Sequence, residues 1–262
     1  MATQVSGTAF ITGGASGIGR GSAEILAQNG ITNLALVDLN LEQLRRTRED
    51  LQTRFPQVVV ETLVADVSIE ASVDHAVRDT ALLFGRIDIA VHSAGISGQT
   101  GLIHELSLSD WQKVIDINQT GLWLCQRAVI RQMMAQELRG PRLGKGVIVN
   151  VSSIFGIATP PAQFGIDPYT AAKHAVVAIT KHDAKAYAPE GIRINTICPG
   201  FVDTPLIRAD IEAGHFASHF EQTPMGRAAS IEEIAESVLY LASPMSSYTC
   251  GMALVVDGGY TA

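Results

Sequence analysis

A tyrosine and a lysine stand four residues apart in the stretch DPYTAAKHAVVAIT (167–180). On a helix, Tyr169 and Lys173 lie on one face, one turn apart. A phenol with a pKa near 10 is a poor acid or base at neutral pH, and a nearby ammonium lowers that pKa by stabilising the phenolate. The spacing is therefore compatible with proton-transfer chemistry, and equally with two neighbours that share a helix face and have no chemical role.

Glycines cluster where the first predicted strand ends, in TGGASGIGR (12–20), with the spacing Gly13-x3-Gly17-x-Gly19. A glycine-dense turn from strand to helix lets the backbone approach a diphosphate, whose charge then lies at the helix N-terminus. About twenty residues further on, Asp38 ends the next predicted strand, where a carboxylate can accept hydrogen bonds from a ribose. The two features predict a dinucleotide site. The alternative, that Asp38 only caps the following helix, leaves the glycines unexplained.

The acid after the second strand also bears on which dinucleotide binds. Asp38 would repel a 2′-phosphate, and the glycine turn contains no Arg or Lys before its last glycine, so NAD is predicted over NADP. Two arginines of the next helix, at 45 and 46, leave NADP open. Asp66 ends the third predicted strand, where its side chain and the Val67 backbone could meet the adenine amino group. Its alternative role is to cap the next helix, for which Ser68 competes.

Short apolar runs alternate with helical patterns along the chain. The predicted strands are 8–13, 33–38, 58–66, 87–92, 146–152, 192–197 and 253–257, and the helical segments are 17–29, 41–54, 69–84, 109–138, 168–188 and 231–242. The strand runs are continuously apolar, which is typical of strands covered on both faces. Strand–helix alternation predicts an α/β fold with a doubly wound parallel sheet of about seven strands, of the Rossmann type, in one domain over 1–262.

Composition excludes several classes of function. The 262 residues carry a formal net charge of −7 and no long basic run, which argues against nucleic-acid and anionic-membrane partners. We expect no membrane span and no secretory signal. Three cysteines without a CxxC spacing predict free thiols and a cytoplasmic location. His215 and His219 have i,i+4 spacing but no evident third ligand, so no metal site is predicted.

Several motifs in order make the sequence resemble the short-chain dehydrogenase/reductase family over nearly its whole length. They are TGGASGIG, HSAG (92–95), Asn118 in DINQTG, Ser153 in IVNVSSIFG, YTAAK (169–173), CPGFVDTP (198–205) and VVDGG (255–259). The resemblance implies that Tyr169 exchanges a proton with the substrate oxygen and that Ser153 contacts this oxygen. It further implies that Lys173 binds the nicotinamide ribose and lowers the Tyr169 pKa, and that Asn118 holds a water linking Lys173 to solvent.

A cation some 4–5 Å from a phenolate contributes on the order of 3 kcal/mol at an effective dielectric near 20, or roughly two pKa units. Together with the positive nicotinamide, this would bring the phenol near its working pH. The expected cofactor contacts are Gly13, Ser16, Gly17, Ile18, Gly19, Asp38, Leu39, Asp66, Val67, Ala94, Gly95, Tyr169, Lys173, Pro199, Gly200, Val202 and Thr204.

The sequence departs from the family pattern in two places that bear on the site. His92 and Ser93 replace the more usual paired asparagines, which puts any strand-locking hydrogen bonds there in doubt. We interpret His92 as a structural residue. The gap from Ser153 to Tyr169 is about three residues longer than is typical, which should reshape the wall of the substrate site.

Three loops are predicted to surround the substrate: 96–106, 154–167 and 205–225. They offer apolar side chains for a mid-sized apolar or cyclic substrate, namely Phe155, Phe164, Leu206, Phe216 and Phe220. The aromatic residues of 206–221 could equally pack against the core. The predicted activity is NAD(H)-dependent interconversion of a secondary alcohol and a ketone. The alternatives are an NADPH-dependent biosynthetic ketoreductase, a non-redox dehydratase or isomerase, and a dinucleotide-binding sensor.

The long helical segments 109–138 and 168–188 carry more apolar residues than one sheet face needs. Proteins similar to this one pair such helices across a twofold axis. We therefore expect a homotetramer, or a homodimer, with 231–258 in a second interface.

Overall fold

The computed structural model describes residues 4–215 and 217–262, and within them a seven-stranded parallel sheet has the order β3-β2-β1-β4-β5-β6-β7. The strands are β1 Thr8–Thr12, β2 Asn33–Asp38, β3 Val59–Val64, β4 Ile89–His92, β5 Gly146–Val151, β6 Ile192–Pro199 and β7 Ala253–Val256. The predicted doubly wound sheet is confirmed. All carboxyl ends of the strands lie on one edge of the sheet, where ligands of such folds bind.

Helices cover both faces of the sheet. They are α1 Gly17–Gln28, α2 Leu41–Arg54, α3 Glu70–Phe84, α4 Leu108–Ile115, α5 Leu122–Met134, α6 Asp167–Tyr187, α7 Arg208–Glu212, α8 Ala217–Gln222 and α9 Ile231–Ala242. One hydrophobic core contains the buried faces of α1, α2 and α9, and a second contains those of α3 and α5. Among the described residues, no helix has the length and apolar character needed to cross a membrane.

The outer strands are less buried than their apolar sequences suggest. β3 is shorter than the predicted 58–66, and Val59 and Val64 are 49% and 54% exposed. At the other edge, Val255 of β7 is 40% exposed. The central strand β5 is buried throughout. The difference follows from position, because an edge strand has a neighbour on one side alone.

One predicted helix is interrupted, and the predicted loop after β6 contains two short helices. The segment 109–138 forms α4, a π-helical stretch Asp116–Gly121 and then α5, which ends at Met134. The π-helical stretch contains Asn118, whose side chain bonds to a neighbouring loop. The segment 206–221 forms the short helices α7 and α8, since Gly214 between them adopts φ +78°, a left-handed conformation that ends a helix.

A buried chain of polar side chains ties the centre of the sheet to α5 and α6. His92 Nδ1 lies 2.9 Å from Asn150 Oδ1, and the Asn150 amide donates to Gln126 Oε1 at 2.7 Å and to Thr180 Oγ1 at 2.8 Å. The Gln126 amide in turn donates to Asp183. Burial lowers the pKa of His92 to about 4, so the ring is neutral and donates from Nδ1. His92 thus links β4 to β5 at the position where the family's asparagine was expected.

Candidate active site

The turn between β1 and α1 is shaped by glycines that no other residue could replace. Gly13 and Gly17 have φ values of +67° and +51°, and a Cβ on Gly13 would lie 2.9 Å from the backbone nitrogen of Ala94. A Cβ on Gly19 would lie 2.2 Å from the Gly13 carbonyl oxygen. The backbone therefore forms a concave surface at the N-terminus of α1, a helix without an acid in its first turn. This cradle fits a diphosphate.

The Asp38 carboxylate fastens this turn from the end of β2. Its Oδ2 accepts a hydrogen bond from Ala15 N–H at 3.2 Å, and its Oδ1 accepts one from Asn40 N–H at 3.1 Å. Asn40 caps α2, because its side chain accepts from Gln43 N–H. The capping role considered for Asp38 thus belongs to Asn40, and Asp38 lines the cavity, where a carboxylate could hold a ribose.

Asp66 and Val67 follow β3 and line the same cavity. The Asp66 Oδ1 accepts from both the N–H and the hydroxyl of Ser68, at 2.9 Å and 2.6 Å. Helix α3 begins at Glu70 with Ile69 in the N-cap position, so neither Asp66 nor Ser68 caps this helix. The turn at Asp66 is instead a local one that holds its carboxylate in place.

Lys173 and Tyr169 are positioned by the docking of α6 onto the end of β5. Pro168 lies in the first turn of α6, where its missing N–H is tolerated. The Lys173 ammonium donates to the Val151 carbonyl oxygen at 2.9 Å, and its Nζ lies 5.4 Å from the centre of the Tyr169 ring. The Ser152 hydroxyl donates to the Lys173 carbonyl oxygen at 2.8 Å.

A glycine makes this docking possible. A Cβ on Gly156 would lie 2.3 Å from Ser152 Oγ and 2.6 Å from the Lys173 carbonyl oxygen. Only a residue without a side chain allows the segment after β5 to lie so close to α6. Ser152 thus has a structural role, because its hydroxyl fastens this segment to α6.

Ser153 is buried beside the phenol. Its Oγ accepts from Phe155 N–H at 3.1 Å, and Ser153 lines the same cavity as Tyr169. A serine hydroxyl has one proton to donate and two lone pairs, so Ser153 can also bond to an oxygen placed between it and Tyr169. An alcohol or carbonyl oxygen there would contact both hydroxyls.

The pKa of the phenol moves in the direction opposite to the expected one. Burial raises the pKa of Tyr169 above its ordinary value of 10.0, and the hydrogen bond with Ser153 opposes this rise. Burial likewise lowers the pKa of Lys173 to about 8. Loss of solvation is the largest cause of both shifts, because both groups are buried in weakly polar surroundings. Near pH 7, Tyr169 is neutral and Lys173 is mostly charged.

Asn118 lies behind the cavity wall. Its Oδ1 accepts from Ile96 N–H at 2.9 Å, and its amide donates to the Ile96 carbonyl oxygen at 2.7 Å. A Cβ on Gly95 would lie 3.1 Å from Asn118 Oδ1 and 3.8 Å from Lys173 Nζ. Gly95 therefore lies between these two side chains and close to both. The geometry makes Asn118 a positioning residue for the loop after β4.

Apart from Asn118, these groups line one cavity of about 480 Å³. Among the described residues that line the cavity are all the expected cofactor contacts except Gly19. Gly19 packs behind the turn against Gly13. Of the expected substrate residues, the lining includes Phe155, Phe164 and Leu206. Phe220 packs edge-on against Phe201 and is not among the described lining residues, and Phe216 lies outside the described residues.

Phe201 lines the cavity although it was not among the predicted contacts, whereas Ser97, Thr100, Ile166 and Ile207 lie in the loops predicted to surround the substrate. A signal for Phe201 was present, since it follows the Pro199–Gly200 turn directly. No three His, Cys, Asp or Glu side chains form a metal-binding group within residues 4–215 and 217–262. His219 is buried, with its ring 4.6 Å from that of Phe164.

Comparison with known proteins agrees with this geometry. A family model described as "Enoyl-(Acyl carrier protein) reductase" matches residues 13–261. The chain belongs to the short-chain dehydrogenase/reductase family. It is 38% identical to cis-4-hydroxycyclohexanecarboxylate dehydrogenase of Sinomonas cyclohexanicum, over 97% of this chain and 96% of that protein. It is 34% identical to cyclohexanol dehydrogenase of Acinetobacter sp., over 97% and 94%.

Solved structures show the same relationship. The crystal structure of levodione reductase superimposes with a TM-score of 0.88 at 34% identity, over 97% of this chain and 96% of that one. The predicted family is confirmed, and the protein is an NAD(P)-dependent alcohol dehydrogenase/reductase.

We predict that Tyr169→Phe lowers turnover by about 10²–10⁴-fold, the usual cost of losing a general acid or base. Dinucleotide affinity should stay close to that of the wild type, since the glycine turn and Asp38 are unchanged. Steady-state kinetics and a fluorescence titration with the dinucleotide measure the two quantities. Tyr187→Phe, at the other end of α6, is the control and should keep full activity. Turnover of Tyr169→Phe within a few-fold of wild type would exclude Tyr169 from proton transfer.

Proposed function

We propose that this enzyme interconverts an uncharged cyclic secondary alcohol and its ketone, with NAD(H) as the cofactor and Tyr169 as the acid–base group. The observation that carries the proposal is that Ser153, Tyr169 and Lys173 line the same cavity as the glycine turn. Bound cofactor would supply the hydride acceptor or donor. The chain would hold it with the glycine turn, Asp38 and the segment from Pro199 to Thr204.

In oxidation, Tyr169 in its phenolate form would take the proton of the substrate hydroxyl, and bound cofactor would accept the hydride from the carbinol carbon, which leaves a carbonyl. In reduction, Tyr169 returns the proton. Ser153 donates a hydrogen bond to the substrate oxygen, where negative charge develops. Lys173 binds the nicotinamide ribose and supplies positive charge near the phenolate. Asn118 fixes the loop at Ile96 and holds the water that connects Lys173 to solvent.

Non-redox chemistry and ligand sensing are less well supported. A sensor needs neither a serine and a tyrosine that face one cavity nor a buried lysine beside them, and here Ser153 and Lys173 are held by specific hydrogen bonds. A dehydratase or isomerase would use Tyr169 and Lys173 without net redox change. A change in nicotinamide absorbance that is stoichiometric with product distinguishes the alternatives.

The cofactor preference rests on charge at the adenosine end of the cavity. Asp38 is held there by two backbone N–H groups. Arg46, one of the arginines that could favour NADP, pairs with Glu42 at 3.1 Å on the exposed face of α2. A 2′-phosphate would therefore meet a fixed carboxylate before it met a free cation, which favours NAD.

We predict that Asp38→Ala lowers the ratio of kcat/KM for NAD to that for NADP by at least about tenfold, because repulsion of the 2′-phosphate is removed. The ratio is the informative quantity, since loss of the Ala15 contact also loosens the turn and slows both reactions. Asp79→Ala, which removes an exposed carboxylate of α3, should leave the ratio unchanged. Equal kcat/KM values for NADP and NAD in the wild-type protein would contradict the proposal.

The substrate class rests on the charges of the cavity wall. Among the described lining residues, the charged side chains are Asp38, Asp66 and Lys173. The first two lie at the ends of β2 and β3, and Lys173 is bound to the Val151 carbonyl. The relatives named above act, by their names, on cyclohexanol and on a hydroxycyclohexanecarboxylate. With no further cation to pair a carboxylate, an uncharged ring fits this wall better.

We predict that cyclohexanol is oxidised with a kcat/KM at least about tenfold above that of cis-4-hydroxycyclohexanecarboxylate, because the carboxylate loses solvation without gaining a partner. A spectrophotometric assay with NAD at fixed pH compares the two alcohols. The uncharged methyl ester of the acid is the matched control and should resemble cyclohexanol. Equal or better use of the carboxylate would contradict the proposed class.

The protein is further proposed to be a homotetramer. Large apolar side chains are exposed on α9, β7 and the loop between them, among them Met245, Tyr248 and Val255. Trp123 is 42% exposed on α5, with the Arg127 guanidinium 4.7 Å from its ring centre. These two surfaces would form two different twofold interfaces.

Sedimentation velocity at micromolar concentration should give a tetramer for the wild type and a dimer for Val255→Arg, since a charge at the β7 edge would disrupt one interface. Val64→Arg, at the opposite sheet edge, is the matched control and should remain tetrameric. A wild-type monomer would contradict the assembly.

A further inference from the structure

Aromatic rings from distant parts of the chain converge on Phe201. Its ring centre lies 6.4 Å from that of Phe155, 6.5 Å from Phe164, 5.7 Å from His219, 5.9 Å from Phe220 and 5.3 Å from Tyr260. These residues come from the segment after β5, the loop before α6, helix α8 and the last residues of the chain. Because rings from all these segments pack against Phe201, together they fix the position of its side chain.

Three of these rings form part of the cavity wall, namely Phe155, Phe164 and Phe201. The wall begins next to the reactive hydroxyls, since Phe155 N–H donates to Ser153 Oγ at 3.1 Å. The rings of Phe164 and Phe201 are nearly parallel, with an angle of 21° between their planes. His219 contacts both, at 4.6 Å and 5.7 Å between ring centres. The three rings of the wall thus pack against one another and against His219.

We propose that Phe201 determines substrate specificity and that the enzyme prefers a substrate with a flat, unsaturated ring over one whose rings are all saturated. This inference rests on the proposed function and deepens it. Aromatic rings attract one another in offset or edge-to-face arrangements beyond the effect of the area they bury. A saturated ring is puckered, and its axial hydrogens keep its carbon atoms away from a ring face. An aromatic wall of this kind therefore distinguishes flat unsaturated substrate rings from saturated ones, both by their shape and by the electrostatic attraction between aromatic rings.

The test compares 2-tetralol with decahydro-2-naphthol, two fused-ring secondary alcohols with the hydroxyl at the same position. The hydroxyl of 2-tetralol is not attached next to its aromatic ring, so the ring does not conjugate with the ketone that forms. We expect kcat/KM with NAD to be about tenfold higher for 2-tetralol, which corresponds to one or two aromatic contacts.

Variants assign the preference to its residue. Phe201→Leu keeps an apolar side chain but removes the ring, and should bring the ratio of the two kcat/KM values close to one. Phe201→Tyr keeps the ring and should retain the ratio. Phe84→Leu, at the end of α3 in the second core, controls for general effects of the substitution and should also retain it. Should Phe201→Leu fail to fold, Phe164→Leu tests the same wall and should lower the ratio.

A wild-type ratio within about threefold of one would overturn the inference, and so would a ratio that Phe201→Leu leaves unchanged. Either result leaves the proposed function standing, because both alcohols would still be oxidised. Absence of any nicotinamide absorbance change with these alcohols and with cyclohexanol would instead remove the proposed function itself.

Discussion

The burial of Lys173 beside Tyr169 is the constraint on which the rest of the site depends. The side chain is 5% exposed and donates to the Val151 carbonyl oxygen at the end of β5. An ammonium in such surroundings loses solvation, which is reflected in its pKa of about 8. The ammonium stays buried in spite of this loss of solvation only because α6 is held firmly against the sheet. Ser152 bonds to the Lys173 carbonyl on the cavity side, and Thr180 joins the chain of His92 and Asn150 deeper in the core.

The cavity divides into a polar end and an apolar end. Asp38 and Asp66 follow β2 and β3, where a nucleotide would present its sugar and base, while the rings around Phe201 lie beyond β5 and β6. Ser153 and Tyr169 lie where the two meet. Such a division would let a charged cofactor and an uncharged substrate occupy one cavity, with the proton-transfer group where they meet.

The parts of the fold that sequence could predict are those set by local pattern. Continuous apolar runs predict the central strands, and the glycine spacing predicts the turn after β1. The break in the helix at Asn118 could not be predicted, because it depends on the backbone of Ile96, 22 residues away. The role of Asp38 also depends on a distant contact, because its carboxylate bonds to Ala15, 23 residues away, while Asn40 caps α2. The convergence of rings on Phe201 could not be predicted either, because its neighbours come from four distant segments. The rise in the Tyr169 pKa was missed since burial cannot be read from the Tyr-x3-Lys spacing.

The central claim is that the chain alone keeps Tyr169 protonated and that the bound oxidised cofactor lowers its pKa into the working range. An ultraviolet difference titration of tyrosinate, wild type minus Tyr169→Phe, measures this pKa with and without saturating NAD. The account predicts a pKa above the ordinary value near 10 for the protein alone. With saturating NAD we expect a Tyr169 pKa well below that value in the wild type. In the Lys173→Met variant we expect NAD to lower this pKa by less. An unchanged pKa on addition of NAD would contradict the account.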